Sequence, residues 1–193
     1  MRESAWSVAR AVSWIGHPFV FVMGSVAIVL GSQMTAAAAW PILTCLFLSV
    51  IVPTAVLLFV GVRSGRWRDG DVSIREERTR FYPWAIPISA AGVMATWFMR
   101  APNFILRGGI VTLGLLILAA MINTRLKISL HSLFAFYCVV ILFRAGSVAG
   151  WAALALAVLV FWSRLNLGRH SVSETLAGTL AGAIGGIFAA WWP

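Results

Sequence analysis

Two histidines, one late carboxylate and a set of arginines are the residues whose types and spacing suit chemistry. The segment Ser163-Arg164-Leu165-Asn166-Leu167-Gly168-Arg169-His170-Ser171-Val172-Ser173-Glu174 holds three of them. Glu174 is the only acid after residue 77 and follows His170 by four residues, one helical turn, so the two can share a face. Arg164 stands six residues before His170. A second histidine, His131, closes the stretch Lys127-Ile128-Ser129-Leu130-His131. Imidazoles, one carboxylate and several guanidinium groups suit phosphoryl chemistry. Arginine forks neutralise phosphate oxygens, one imidazole attacks phosphorus, and the other manages the leaving-group proton.

The elements that must position these groups are membrane helices. Residues AVILMFWYC make up 61% of the 193 and DEKR only 11%, well beyond the roughly 45–50% apolar share of a soluble domain. A soluble enzyme, a disordered chain and a disulfide scaffold are excluded on that ground. Cys45 and Cys138 lie in apolar runs and read as buried thiols. A spanning helix needs roughly 20 apolar residues. Residues 11–62 form one charge-free run of 52, which suits two helices, at about 17–32 and 38–62, broken at Gly31-Ser32-Gln33-Met34-Thr35. Further charge-free runs cover 81–99, 108–124, 128–143, 145–163 and 175–193. The expectation is an all-α polytopic membrane protein of six to seven spanning helices in one bundle. Residues 1–16 form an interfacial segment anchored by Trp6 and Trp14, and residues 17–193 form the transmembrane domain. Arg2, Arg10 and the following apolar run up to Ala36-Ala37-Ala38 imitate a signal peptide, but the polar leader is long for one.

Seven spans fix a parity. The N-terminus and the segments 63–80, 123–127 and 164–174 fall on one side, with Arg2, Arg10, Arg63, Arg66, Arg68, Arg75, Arg78, Arg80, Arg125, Lys127, Arg164 and Arg169. Arg100, Arg107 and Arg144 fall on the other, so twelve cations against three make the first side cytoplasmic. His131 and His170 share that side. The net charge of +9 points to anionic headgroups rather than to nucleic acid, because no soluble basic domain carries it.

The motif residues resemble a known family. The pattern SRxxxxxHxxxE at 163–174 is similar to the third signature of the type 2 phosphatidic acid phosphatases, where the last residue is Asp. Ile128-Ser129-Leu130-His131 resembles the second, a Pro-Ser-Gly-His run. For the first, a Lys followed by Arg-Pro, two registers stay open: Arg75 before Tyr82-Pro83, or Arg68 with Arg75. The resemblance covers roughly residues 75–180. It implies a metal-independent and cofactor-free membrane phosphatase acting on a lipid phosphate or a polyprenyl (di)phosphate. His170 would be the nucleophile that forms a phosphohistidine, and Glu174 would hold its other ring nitrogen. His131 would protonate the leaving alkoxide. Arg164, Ser129, Arg75 or Arg78, and Lys127 would bind phosphate. Glu for Asp at 174, Leu130 for glycine and the missing Arg-Pro are departures from the family pattern.

Simpler roles exist for the same residues. His17, alone at a helix start, reads as a capping or interfacial residue. Glu174 can favour the positive end of the last helix, which Ser171 or Ser173 can cap. The charge run 63–80 can be a solvated loop that pairs with itself and with lipid phosphates. Gly178, Gly182, Gly185 and Gly186 form a small-residue face suited to close helix packing. Trp191 and Trp192 suit interface anchors. Two rival functions remain: an inactive lipid-binding or assembly protein on the same scaffold, separated by turnover of a lipid phosphate, and a bis-histidine haem protein with His131 and His170 as axial ligands, betrayed by a Soret band.

Overall fold

The computed structural model describes residues 2–191, with the side chains of Arg2, Glu3 and Ser4 left aside; Trp192, one of the suggested anchors, lies outside the described residues. Every regular element among them is helical: α1 (Arg2–Ile15), α2 (Pro18–Gln33), α3 (Ala36–Leu46), a π turn (Phe47–Ile51), α4 (Val52–Arg63), α5 (Arg75–Phe98), α6 (Asn103–Ile122), α7 (Leu130–Arg144), α8 (Ala149–Asn166) and α9 (Val172–Trp191). The break expected near 31–35 falls between Gln33 and Ala36.

Among the described residues four helices are long and apolar enough to cross a membrane: Ala36–Arg63, Asn103–Ile122, Ala149–Asn166 and Val172–Trp191. A fifth crossing arises if Ala5–Ile15 and Pro18–Gln33, bent by 46° at their junction, act as one broken span. Two further runs in the sequence give different helices. The run at 81–99 becomes the end of a longer helix, because the charged residues before it are helical too. Glu76 and Glu77 occupy that helix's first turn, where carboxylates favour the macrodipole. The run at 128–143 becomes α7, only 15 residues and so roughly 22 Å long, shorter than the ~30 Å hydrocarbon layer.

The helices form two compact units, one of residues up to Met34 with those from Ile128 onward, the other Thr35–Lys127. The motif region at about 75–180 is thereby divided between them. In the first unit α7 is the central helix and packs on α2, α8 and α9, while α1 packs on α8. Nine of the 15 residues of α7 are buried, which explains why it is apolar all round. The glycine face of α9 does what its spacing suggests. A Cβ at Gly178 would strike the Ser129 carbonyl, and one at Gly182 the Leu133 carbonyl, so α9 lies directly on the α7 backbone.

In the second unit α3, the π turn and α4 form one continuous rod beside α5, which packs on α6. Pro53 explains the π turn, since its ring clashes with the carbonyl four residues back and the Val52 N–H bonds Phe47 instead, five back. The segment after α4 is an ordered loop. Trp67 folds over Gly61 and donates from Nε1 to the Leu58 carbonyl at 3.3 Å. The Asp69 carboxylate accepts from the Asp71 and Ser73 backbone N–H groups and the Ser73 hydroxyl. Val72, buried and β-branched, sits in the left-handed region at φ 46°, a conformation held by its surroundings rather than by preference.

Candidate functional site

The suspected site in the first unit is built by three helix ends. At the end of α8, Gly168 adopts φ 62°. Its N–H bonds the Leu165 carbonyl at 3.0 Å and the Arg169 N–H bonds the Arg164 carbonyl at 3.1 Å, the two bonds of a Schellman motif. The His170 N–H also reaches the Arg164 carbonyl, at 3.3 Å. The six-residue spacing from Arg164 to His170 is thus the length of this turn. It requires glycine at 168, where a side chain would be strained.

Ser171 then starts α9 with a capping box. Its hydroxyl accepts from the Glu174 N–H at 3.3 Å, and the Glu174 carboxylate accepts from the Ser171 N–H at 3.1 Å. The same carboxylate oxygen lies 3.1 Å from His170 Nδ1. A carboxylate that accepts here takes the bond from an Nδ1–H donor. The capping role and the imidazole-holding role of Glu174 therefore coexist on one oxygen.

The start of α7 lies beside the start of α9. The Ser129 N–H donates to the Glu174 carbonyl at 3.0 Å, and Ser129 Oγ caps α7 by accepting from the Ser132 N–H. His131 follows in the first turn and is buried, as are Ser129 and His170. Two helix N-termini at one place concentrate backbone N–H groups and positive dipole ends, an environment that favours an anion. Arg164, in the last turn of α8, adds a guanidinium that is fully buried.

Two site residues escaped sequence reasoning. Ser13, in α1, accepts from Arg164 Nη1 at 2.7 Å across 151 residues of chain. His17 caps α2 as expected, its Nδ1 accepting from the Phe19 N–H at 3.2 Å. Its ring also stands edge-on to His131, with centroids 5.3 Å apart. The available signal was the small-residue spacing of Ala5, Ala9 and Ser13, which marks a packed face and brings the α1–α2 junction to α8.

The remaining suspected phosphate ligands, Arg75, Arg78 and Lys127, belong to the second unit. Arg78 is buried and donates from Nε to the Val72 carbonyl at 2.9 Å. Lys127 Nζ donates to the Ser73 carbonyl at 2.9 Å. Arg75 Nη1 donates to the Arg125 carbonyl at 3.3 Å, and the Arg75 carbonyl accepts from Asn123 Nδ2 at 3.1 Å. These bonds tie the loop after α4, the start of α5 and the loop after α6 into one cluster. The charge run is therefore a folded structure that pairs with itself. Comparison with protein-family models, curated proteins and solved structures finds no match to this chain.

Proposed function

We propose that this protein is a membrane phosphatase that hydrolyses a lipid phosphate or polyprenyl (di)phosphate, without a metal, through a phosphohistidine at His170. The observation that carries this reading is the His170 Nδ1 to Glu174 carboxylate contact of 3.1 Å, which leaves Nε2 as the nucleophile, beside a buried Arg164 whose carbonyl anchors the same histidine. In the first step Nε2 bonds to phosphorus, the bond from phosphorus to the lipid oxygen breaks, and His131 gives that oxygen its proton. In the second step water attacks phosphorus, His131 takes the water proton, and the nitrogen–phosphorus bond breaks to free phosphate and His170. Glu174 stabilises the imidazolium character that grows at His170, and Arg164 with the α7 and α9 N-termini holds the phosphoryl oxygens.

The same reading has α5 and α7 completing six to seven spans, with the motif-bearing end on the cytoplasmic side. The exposed aromatic and aliphatic side chains of the helices, such as Trp151, Leu180 and Phe188, suit a surrounding bilayer through which an acyl or prenyl tail enters.

The test is phosphate release by detergent-purified protein from a panel of lipid phosphates and polyprenyl (di)phosphates in excess EDTA. Turnover of at least one substrate is expected, together with an acid-labile phosphoenzyme. Both should vanish in His170→Ala, in which no group replaces the attacking nitrogen. Undiminished turnover in His170→Ala overturns the phosphohistidine, and strict dependence on added Mg²⁺ or Mn²⁺ overturns the metal-free route.

A further inference from the structure

The helix outside the resemblance supplies a side chain to the site. The buried face of α1 carries Ala9 and Ser13, and Gly16, just beyond the helix, lies against Val160 of α8 so tightly that a Cβ there would strike it. The opposite face presents Trp6, Val8, Trp14 and Ile15, with Arg10 stacked over Trp6 at 4.8 Å. One face of α1 thus belongs to α8, and the other suits the membrane interface. Where the packed face meets the end of α8, Ser13 Oγ accepts from Arg164 Nη1 at 2.7 Å. Ser13 is 6% exposed and Arg164 is 0% exposed, so this bond forms out of water.

A guanidinium on a long stem has many rotamers, and two-pronged recognition of a phosphoryl group needs its plane aimed. The Ser13 hydroxyl accepts from one nitrogen of the fork and so helps to fix its plane. We propose that Ser13 is a positioning residue for Arg164, and that the junction of α1 and α2, with Ser13 before it and His17 at it, is a working part of the anion site. This rests on the phosphatase reading, in which Arg164 binds the phosphoryl oxygens, and extends the site to a segment with no counterpart in the signatures.

A merely structural serine would act by being small, and alanine would serve as well. The discriminating variants are therefore Ser13→Ala, which keeps the packing and loses the acceptor, and Ser13→Thr, which keeps the acceptor. The readouts are orthovanadate affinity measured directly by ⁵¹V NMR, phosphate release, and the thermal midpoint. The loss of a hydrogen bond to a charged group predicts that Ser13→Ala binds vanadate roughly tenfold more weakly or worse. Its KM should rise more than its kcat falls, with a lower midpoint from the buried donor left unsatisfied, and Ser13→Thr should stay near wild type in all three readouts. Wild-type vanadate affinity in Ser13→Ala, or equal losses in both variants, overturns the positioning role while the phosphatase reading stands. A wild-type protein that neither binds vanadate nor releases phosphate overturns the phosphatase reading itself, and the role of Ser13 with it.

Discussion

Among the described residues Arg78 and Arg164 are the two largest fully buried side chains, one in each compact unit, and each donates to a different kind of acceptor. Arg78 donates to the carbonyl of Val72, the residue held at φ 46°. Arg164 donates to a hydroxyl, while its own carbonyl anchors the turn that carries His170. The neighbours follow the same division. Lys127 and Arg75 also donate to backbone carbonyls, Arg75 with a long ion pair to Glu76 besides, whereas His170, Glu174 and His17 meet side chains or helix-cap N–H groups. The bond to Val72 lets Arg78 help to shape the loop after α4. Under the phosphatase reading, a buried cation held by a neutral hydroxyl, as Arg164 is by Ser13, is set up for an anion. Of the twelve cations assigned to one side by the sequence, Arg75, Arg78 and Lys127 donate to backbone carbonyls and Arg164 to a hydroxyl.

The sharpest way to break that contrast is at Glu174, where the cap and the His170 contact share one oxygen. Glu174→Gln keeps the reach and the acceptor that the capping box needs, so the start of α9 should persist and the thermal midpoint should hold. Under the phosphatase reading it removes the charge that stabilises imidazolium at His170, so kcat should fall by roughly 10²–10⁴. Glu174→Asp keeps the charge and shortens the reach by one methylene, and it should fall less. A Gln variant that loses stability and activity together would make Glu174 a cap and nothing more.

Much of this was legible in the sequence, for physical reasons that differ by residue. Charge-free runs mark helices because a bilayer tolerates little else, and α3, α4, α6, α8 and α9 follow from them. The glycine spacing on α9 marked close packing, and the backbone of α7 is what it packs on. The spacing from Arg164 to His170 was visible as a motif; the Schellman turn that sets it was not, since Gly168 alone does not announce which carbonyls it satisfies. The helical start of α5 was missed because charges were read as loop, although Glu76 and Glu77 suit a helix N-terminus. Ser13 was legible only as part of the small-residue spacing with Ala5 and Ala9; its bond to Arg164, across 151 residues, leaves no local trace. His17 was read correctly as a cap, but its approach to His131 depends on the α1–α2 bend.

In the second unit the prediction concerns stability before rate. Arg78→Ala removes a buried charged donor, leaves the Val72 carbonyl unsatisfied and releases the left-handed residue. The expected cost is about 1–3 kcal/mol, read as a lower denaturation midpoint, with earlier proteolytic cutting in the 63–74 loop. Arg78→Lys keeps a charge but not the fixed guanidinium geometry, and it should recover only part of that loss. An Arg78→Ala protein that melts like wild type yet releases no phosphate would place Arg78 in the chemistry and erase the contrast with Arg164.

The smallest effect is expected at Arg75. Its side chain is 46% exposed, its ion pair with Glu76 is 3.7 Å long, and its bond to the Arg125 carbonyl is also exposed. Solvent screens such a pair to about 0–1 kcal/mol, and the Asn123 bond to the Arg75 carbonyl does not involve the side chain. Arg75→Ala should therefore melt within about 0.5 kcal/mol of wild type and release phosphate within roughly a factor of two to three. The comparison gains from this variant because Arg75 is also the residue that one register of the first signature would make a phosphate ligand. A ligand would lose far more than an exposed loop residue, since removing a charged contact to a phosphoryl oxygen costs roughly tenfold or beyond. A large rise in KM with an unchanged midpoint would assign Arg75 to the substrate, and the rule that backbone-bonded cations are structural would then hold for Arg78 and Lys127 alone.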